Sequence, residues 1–553
     1  MTGGASAGES RLRIAGACAV VGLGALLVSL PHVLAFVTLS PDAVEYVSIA
    51  HNWVEGRGFV NAVLFSYYLD GVSPPFPSLA ARAPVLSVLL AAGLGAGLGL
   101  VGLGVAHVVW ASLIGASSTL VARRLMSLPS AAALGVLLSW SPAWELASTR
   151  LLTEASGVGA LLMLIASAPL ALRSTRGALL ASALAGLAWL TRPNLGAFVP
   201  LLLVAAVLDL GPRAALRSRP LWVYVASFLL LHRALILGSE AAFGIAPYAN
   251  YGIMLQTLSM DEVAGYQTAY PGALGFVGGH LAELLAINGR NLLRLVELAF
   301  HPMHLFVGVI AVPGIVHGLL ARGPDRFGHR LVSVAALGFS GVAALTSWGF
   351  DDRYALPGFV CAWLAGMAFL DRVVVRLAGR RSGSDRRTAL LRLAPVALAS
   401  ALVTVQVAPD AARRLGFVLD RSYSTRLFLP LPEWNLPNRA FCGRLDPDAL
   451  VASPAPWNLV YWCGNAGLLL PPDLDDAALL DRYLDERSPG YLITDDERTT
   501  ALFRSSPRLE VAASHGKAFL FRVAAPDPRS RPWRSPGPLA ELGPPLRAGS
   551  SSR

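Results

Sequence analysis

Charged residues are scarce in this sequence. Of its 553 residues only 14% are charged and 54% are hydrophobic, and the mean hydropathy is +0.55. This composition excludes a soluble globular chain of this length. Lysine is almost absent, with Lys517 as the one lysine, so the net charge of +10 rests on arginine. Because the arginines stand in short runs between apolar segments, they indicate membrane orientation and not a nucleic-acid-binding surface.

Short motifs for nucleotide binding and for paired-cysteine chemistry are also missing. The sequence has no P-loop, no CxxC and no GxGxxG that follows a predicted strand. Cysteine is rare: Cys18 and Cys361 fall in apolar segments, where inert thiols are expected, and Cys442 and Cys463 lie in the polar carboxyl-terminal region. Spacing alone leaves open whether Cys442 and Cys463 form a disulfide.

Apolar windows of span length recur from residue 14 to residue 408 and then stop. They predict a polytopic α-helical membrane protein with about eleven spans. The first window has span length and no convincing cleavage site, so we expect it to be retained as a helix. The predicted spans are 14–36, 100–122, 130–146, 154–172, 178–191, 194–210, 220–240, 297–320, 331–348, 355–371 and 388–407.

The short arginine runs between these spans fall on one side of the predicted bundle. By the positive-inside rule that side is the cytoplasm, so the amino terminus is inside and the carboxyl terminus is outside. We therefore predict a multi-pass protein of the plasma (cytoplasmic) membrane. Its predicted transmembrane domain, residues 1–408, has extracytoplasmic loops at 37–99 and 241–296.

The region after residue 408 alternates strand-like and helix-like segments. It predicts a small extracytoplasmic α/β domain over residues 409–525. Residues 526–553 are rich in Pro, Arg, Gly and Ser, a composition typical of a disordered tail.

The first predicted loop opens with two acidic residues in the segment SPDAVEYVSIAHNWVEGRGF. Ser40 is a good N-cap and Gly56 can end the helix, whose polar face would carry Asp42, Glu45 and Asn52 along the outer membrane surface. A carboxylate here could take a proton from an attacking hydroxyl group. The alternative is the acidic bias of a first helical turn, which the helix dipole favours.

Five arginines break the charge rule because they are predicted to lie outside. Arginine suits phosphate, and a phosphate at membrane depth would belong to a lipid headgroup or a lipid-linked substrate. The alternative is ordinary interfacial arginines that extend to headgroups. These residues are Arg57, Arg82, Arg150, Arg192 and Arg353.

Other ionisable residues stand near predicted span ends, where such groups usually line a cavity or a site. Glu154 begins one span, and Asp351 and Asp352 lie in a predicted turn. His301 and His304 have helical spacing and could bind a metal, but with no acidic or Cys partner at suitable spacing an interfacial position is favoured. We therefore expect no catalytic metal and no cofactor.

Several segments resemble one family in the order of its motifs. DAVEYVSIAHNWVEGRGF is similar to the first outer loop of GT-C-type membrane glycosyltransferases, the group that includes protein mannosyltransferases and aminoarabinose transferases. ARAPVLSVLLA resembles their Arg-Pro-Pro-type helix. The later segments LLTEASG, LTRPNLGAFVPLLL, DDRYALPGFVCAWLAG and VASPAPWNLVYWCGNAGLLLP also look like family segments.

The resemblance implies an inverting transfer of a sugar from a polyprenyl-phosphate carrier to an acceptor hydroxyl on a protein, glycolipid or polysaccharide. It implies that Asp42 is the general base, with Glu45 as its catalytic neighbour. Two departures stand out: the family's Asp-Glu pair is Asp42-Ala43 here, and its Arg-Pro-Pro is Arg82-Ala83-Pro84. The implied phosphate-binding residues are Arg82, Arg192 and Arg353, and the pocket candidates are Tyr46, Glu154, Asp352 and Tyr354.

Two other classes fit part of the sequence. A secondary transporter or flippase of a small or lipid-linked solute would also be a helical bundle with a few buried charges such as Arg233. A scaffold for an envelope complex would explain the carboxyl-terminal domain but not the outer arginines. The crowding of polar residues at the outer ends of the spans favours an interfacial enzyme.

Overall fold

The apolar segments fold as helices in a computed structural model of the chain. It describes residues 7–64, 76–78, 82–243, 247–248, 256–259, 272–301, 304, 307–323, 325–346, 352–379, 385–419, 424–427, 439–524 and 537–542. The helices of the amino-terminal part are α1 (Ala7–Ala35), α2 (Pro41–Val54), α3 (Pro84–Gly95), α4 (Leu100–Ala122), α5 (Leu128–Ser139), α6 (Pro142–Thr149), α7 (Thr153–Arg173), α8 (Thr175–Thr191), α9 (Phe198–Leu210), α10 (Pro212–Arg217), α11 (Arg219–Phe243), α12 (Ala273–Gly279), α13 (Leu281–Ala299), α14 (Gly308–Leu319), α15 (Arg326–Ala344), α16 (Asp352–Gly379) and α17 (Asp385–Leu419).

Seven helices of the described chain are long and apolar enough to cross a membrane, and four further apolar helices have 10–17 residues. The predicted span 130–146 is divided at Trp140, because Ser141 caps a new helix and Pro142 cannot continue the old one. A hydropathy window does not register such a break. The count of about eleven spans therefore stays a prediction.

Small residues bring the helices close together. A Cβ atom at Gly314 of α14 would lie 2.5 Å from the backbone N and Cα of Gly366 in α16, so these two backbones are in direct contact. Membrane helices commonly pack through such small residues, because apolar side chains gain little by leaving lipid for protein. Alanine, leucine and valine fill the rest of the bundle core.

Asp371 joins two helices at one end of the bundle. Its carboxylate, on α16, accepts hydrogen bonds from the Ser127 backbone N–H at 3.1 Å, from the Ser130 hydroxyl at 2.7 Å and from the Ser127 hydroxyl. An N-terminal helix end exposes unpaired N–H groups that an anionic oxygen satisfies well. Asp371 thus caps α5 from a neighbouring helix.

The carboxyl-terminal region forms a mixed sheet with helices. Its strands are β6 (Val451–Ser453), β7 (Gly467–Leu469), β8 (Tyr491–Thr494), β9 (Leu509–His515) and β10 (Ala518–Val523), and its helices are α18 (Pro456–Trp462), α19 (Ala477–Arg487) and α20 (Glu497–Ser505). Strands β7, β6 and β8 run parallel, and β10 pairs antiparallel with β8 and β9. Cys442 and Cys463 are joined by a disulfide, which answers the question that spacing left open.

The first loop adds short strands to the fold. They are β1 (Phe36–Leu39), β2 (Val60–Asn61), β3 (Val63–Leu64) and β4 (Phe76–Pro77), and β1 pairs in parallel with β5 (Ser424–Leu427). Strand β3 forms the edge of the carboxyl-terminal sheet, next to β7, in the order β3-β7-β6-β8-β10-β9. The sheet therefore combines residues from both predicted domains, whose boundary at residue 408 stays a prediction.

Helix α2 does not lie on a surface, so that prediction is wrong. All residues from Ala43 to Asn52 are buried. The helix packs against α3 and against α18 of the carboxyl-terminal region, and such partners cover surface that a lone amphipathic helix would leave to solvent and lipid. One apolar core continues from α2 and α3 into the sheet.

Part of the predicted tail also packs. Leu539–Leu542 form a 3₁₀ turn in which Leu539 is fully buried in that same core. The rest of the predicted tail, other than Gly537 and Pro538, lies outside the described residues.

We predict that Gly314→Ala lowers the free energy of unfolding by about 1–3 kcal/mol, because the added methyl group must force α14 away from the backbone of Gly366. Thermal unfolding in detergent measures the effect. Gly238→Ala in α11 is the matched control, since nothing lies within 4 Å of its Cβ position. Equal melting temperatures for both variants and the unaltered protein would contradict the close contact.

Candidate active site

Helix α2 begins as the sequence predicts. The Ser40 hydroxyl oxygen accepts a hydrogen bond from the Ala43 N–H at 3.2 Å, and Pro41 occupies the first turn, where its missing N–H costs no hydrogen bond. Asp42 and Glu45, three residues apart, project from one face of the helix. That face meets the segment that leads into α3.

The guanidinium group of Arg82 lies between these two carboxylates. Its Nη2 is 2.8 Å from Asp42 Oδ1 and 2.6 Å from Glu45 Oε1, and its Nε donates to Glu45 Oε2 at 2.9 Å. The pair with Glu45 is two-pronged, a geometry that the planar fork of arginine fits. Glu45 is fully buried, and its second oxygen also accepts a hydrogen bond from Asn61 Nδ2 at 2.7 Å.

A second group of charges meets the first at Asp42. Arg353, in the first turn of α16, donates through Nη1 to Asp42 Oδ2 at 3.0 Å, and the same nitrogen is 3.9 Å from Glu154 Oε1. Arg192 Nη1 is 3.2 Å from that Glu154 oxygen, and its Nη2 donates to the Arg353 carbonyl oxygen at 3.3 Å. The structure therefore brings Asp42, Arg353, Glu154 and Arg192 into one network.

The ends of three helices supply this second group. Glu154 lies in the first turn of α7, Arg192 directly follows α8, and Arg353 lies in the first turn of α16. Gly157 makes room for the network, because a Cβ there would lie 3.1 Å from Arg192 Cδ. Glu154 Oε2 is buried and has no hydrogen-bond partner among the residues that the structure describes.

The arginines determine the charge of Asp42. Burial alone would raise the pKa of its carboxyl group, but the positive charges of Arg82 and Arg353 outweigh burial and hold the pKa below its ordinary value. Burial likewise disfavours the charge on Arg82, and the two carboxylates overcome it and raise the pKa of its guanidinium. Asp42 is therefore an anion at neutral pH.

Exposure divides the network into two parts. Among the described residues it contains three carboxylates (Asp42, Glu45 and Glu154) and three guanidinium groups (Arg82, Arg192 and Arg353). The side chains of Arg353 and Asp42 are 33% and 25% exposed, whereas the other four are 11% exposed or less. A ligand can therefore reach Asp42 and Arg353 first.

The remaining pocket candidates lie around this network. Tyr46 is buried, with Arg82 5.8 Å from the centre of its ring, and Tyr354 is partly buried beside the bundle core. Asp352 is the first residue of α16, but its side chain is not described, and Asp351 lies outside the described residues. His304 packs its ring 4.5 Å from that of Phe359. Among the described residues no three His, Cys, Asp or Glu side chains group as metal ligands.

Sequence reasoning missed two features of the site. One is Asn61, whose Oδ1 accepts from the Val63 N–H at 3.1 Å, an Asx turn that Asn before a short strand can signal. The other is Leu151, a buried residue held at φ +52° just before α7, where a non-glycine side chain is strained by about 1–3 kcal/mol. No sequence signal indicates that strain.

Comparison with solved structures identifies the fold. The chain is similar to ArnT from Cupriavidus metallidurans bound to undecaprenyl phosphate, with a TM-score of 0.52 and 15% identity over 94% of this chain and 98% of that one. It is also similar to the Archaeoglobus fulgidus oligosaccharyltransferase in the apo form, with a TM-score of 0.56 and 13% identity over 87% of this chain and 69% of that one. No protein-family profile and no curated protein sequence matches the chain.

Both neighbours are GT-C-type glycosyltransferases. The predicted resemblance to that group is therefore confirmed for the fold. At this level of identity the similarity shows the shared fold alone, and the apolar helices together with these membrane-protein neighbours support a multi-pass membrane protein.

We predict that Glu45→Gln lowers the free energy of unfolding by about 3–5 kcal/mol, because the buried Arg82 loses the negative charge of the carboxylate that it contacts most closely. Asp42→Asn should cost less, since Asp42 is a quarter exposed and water can reach it. Thermal unfolding of both purified variants at one pH measures the difference. Equal losses would contradict the division of the network by exposure.

Proposed function

We propose that this protein is an integral-membrane glycosyltransferase of the inverting kind. It moves a sugar from a polyprenyl-phosphate carrier to an acceptor hydroxyl group on the extracytoplasmic side of the plasma membrane. The observation that carries the proposal is the 3.0 Å pair of Asp42 and Arg353, the most exposed members of a network at the helix ends of a GT-C-type fold. The similar ArnT structure holds undecaprenyl phosphate, the class of carrier proposed here.

Asp42 and Arg353 would serve the two ends of one displacement. The acceptor oxygen attacks the anomeric carbon of the sugar while the Asp42 carboxylate takes the proton from that hydroxyl group. The bond between the anomeric carbon and the phosphate oxygen breaks, and the carrier phosphate leaves with the electron pair. Fixed guanidinium groups stabilise the negative charge on the departing oxygens. A single displacement of this kind inverts the anomeric centre.

Donor binding would also change the partner of Arg353. A phosphodiester would add negative charge next to the six described side chains, in which three carboxylates already face three guanidinium groups. Arg353 is the most exposed cation of the six side chains, so it is the one that can turn toward the phosphate. Asp42 then loses a cation and becomes a stronger base when the substrate is present.

The buried residues would support this pair. Glu45, predicted as catalytic, is fully enclosed and touches Arg82, so it acts through Arg82 on Asp42. Arg82 was predicted to bind phosphate, but its guanidinium is engaged by two carboxylates. Arg192 pairs with Glu154 and donates a hydrogen bond to the Arg353 carbonyl oxygen in the first turn of α16. It would therefore fix the backbone from which the Arg353 side chain projects.

The basic residues of the same helices support the proposed orientation. The network lies at the start of α7, the end of α8 and the start of α16, and the opposite ends of these helices are one span away. Those opposite ends are rich in arginine, which the positive-inside rule assigns to the cytoplasm. They carry Arg173, Arg176, Arg372 and Arg376.

The disulfide between Cys442 and Cys463 supports the same orientation for the carboxyl-terminal region. Disulfides persist in oxidising compartments and are rare in the cytosol. We therefore propose that residues 409–525 are extracytoplasmic and cover the site from outside the membrane.

We predict that Asp42→Asn slows sugar transfer by about 100- to 10,000-fold, because the amide cannot accept the proton of the attacking hydroxyl. The measurement uses proteoliposomes with a panel of polyprenyl-phosphate hexoses and pentoses, an envelope extract as acceptor, and labelled sugar in the product. Transfer at the unaltered rate by a stably inserted variant would remove Asp42 as the base.

Asp371→Asn is the matched control for that experiment. It makes the same carboxylate-to-amide change in a buried residue at the other end of α16, and it should leave the transfer rate near that of the unaltered protein.

Sealed vesicles test the rival class, a transporter or flippase. Uptake of free sugar or movement of the intact donor across the vesicle, without release of carrier phosphate, would support a transporter or flippase.

We predict that Arg353→Gln raises the KM for the donor by about 10- to 100-fold, because a charged hydrogen bond to phosphate is lost. It should also shift the acidic limb of kcat/KM to higher pH. Arg353 lowers the pKa of Asp42, so its removal raises that pKa, and the carboxylate is then lost at a higher pH as the medium is acidified. An unmoved acidic limb would contradict the pairing of Arg353 with the base.

A further inference from the structure

We infer that Asn61 is a positioning residue for the proposed transfer, linking the edge of the carboxyl-terminal sheet to the Glu45–Arg82 pair that supports Asp42. The inference rests on the proposed function and extends it to a residue outside the charged network. It makes the docking of the carboxyl-terminal region a condition for the geometry of the base.

The side chain of Asn61 is used at both of its polar atoms. Nδ2 donates to Glu45 Oε2 at 2.7 Å, and Oδ1 accepts from the Val63 backbone N–H at 3.1 Å. The residue is 2% exposed, so water does not compete for these hydrogen bonds. One amide therefore fixes both the buried carboxylate and the first residue of β3.

Strand β3 transmits that connection to the carboxyl-terminal sheet. Val63 and Leu64 pair in parallel with Gly467 and Leu468 of β7, and the Gly467 N–H donates to the Ala62 carbonyl oxygen at 2.9 Å. The backbone on the carboxyl side of Asn61 is therefore part of the sheet. A shift of the sheet relative to α2 would move Asn61 with it.

The chain just before Asn61 is anchored to α2 and to Ser78, which directly follows β4. Asn52, two helical turns after Glu45, donates through Nδ2 to the Val60 carbonyl oxygen at 3.1 Å. The Ser78 hydroxyl donates to the Phe59 carbonyl oxygen at 2.8 Å. The segment thus holds a fixed position above the helix that carries both carboxylates.

The link reaches Asp42 through Arg82. Glu45 Oε2 accepts from both Asn61 and Arg82 Nε, and Arg82 Nη2 contacts Glu45 Oε1 and Asp42 Oδ1. If Glu45 loses the restraint from Asn61, the guanidinium can follow it away from Asp42. A displacement of about 1 Å at a reacting group can cost about 100-fold in rate.

Asn61→Asp separates the two hydrogen bonds of this side chain. A carboxylate at position 61 still accepts from the Val63 N–H, but it cannot donate to Glu45 and it adds a negative charge beside it. Among the described residues, Arg82 before α3 and Arg353 on α16 contact Asp42 directly, and Glu45 on α2 and Glu154 on α7 lie next to these two arginines. The added charge competes for Arg82 and repels Asp42, so both effects favour protonation of the base.

We expect Asn61→Asp to slow transfer by about 100-fold in the proteoliposome assay and to move the acidic limb of kcat/KM to higher pH, with little change in the KM for the donor. The matched control is Asn465→Asp. Asn465, just before β7, is also buried, and its amide donates to the carbonyl oxygens of Asp446, Pro447 and Ala449. It should lower the melting temperature and leave the acidic limb in place.

The Glu45→Gln background separates a direct link from general damage. If Asn61 acts through Glu45, Asn61→Asp causes a smaller further loss in that background than in the unaltered protein, in rate and in melting temperature, because the carboxylate that it contacts directly is gone. Losses that multiply in rate and add in melting temperature would overturn the inference. So would an Asn61→Asp variant with an unmoved acidic limb.

The two proposals fail in different ways. An unaltered protein that transfers no sugar from any donor of the panel would remove the proposed function. The melting temperatures of the unaltered protein, the two single variants at positions 61 and 45 and the double variant would still test the link between Asn61 and Glu45. Active unaltered protein with independent effects at positions 61 and 45 would remove the link alone.

Discussion

The rest of the site depends on one interaction, the guanidinium of Arg82 shared between Glu45 and Asp42. A buried charge is costly unless it is paired and hydrogen-bonded, and Glu45 is fully enclosed. This requirement explains why Arg82 pairs with the buried Glu45 and why the Asn61 amide donates a hydrogen bond to the second oxygen of that carboxylate. The Nη2 atom of Arg82 also contacts Asp42, which is more exposed than either member of the buried pair.

The same requirement separates two kinds of charged residue among the six described side chains of the network. Enclosed members such as Glu45 and Arg192 have partners on several sides, so removing one leaves another uncompensated. Asp42 and Arg353 retain access to solvent and can exchange partners at lower cost. The proposed reaction binds a phosphate and moves a proton, so it requires charged side chains that can exchange partners. The enclosed side chains hold these reacting side chains in position.

The sequence was informative where a local rule decides the outcome. Ser40 and Pro41 start α2 because capping is local, and the carboxyl-terminal segments around Val451, Tyr491 and Ala518 are strands with the expected apolar pattern. The charges of Glu154, Arg192 and Arg353 could be assigned to helix ends from hydropathy alone. Their convergence on Asp42 required the packing of α7, α8 and α16, which no single segment encodes.

Asn61 shows why the remaining features could not be read from the sequence. Its two partners, Glu45 and Val63, lie on opposite sides of it in the chain, and its meaning depends on β3 pairing with a strand some 400 residues later. The same long-range pairing makes α2 a buried helix, although its own pattern is that of a surface helix. Helix α2 packs against α3 and against α18 of the carboxyl-terminal region, and its Asp42 pairs with Arg353 at the start of α16, so the surroundings of its carboxylates come from both parts of the chain.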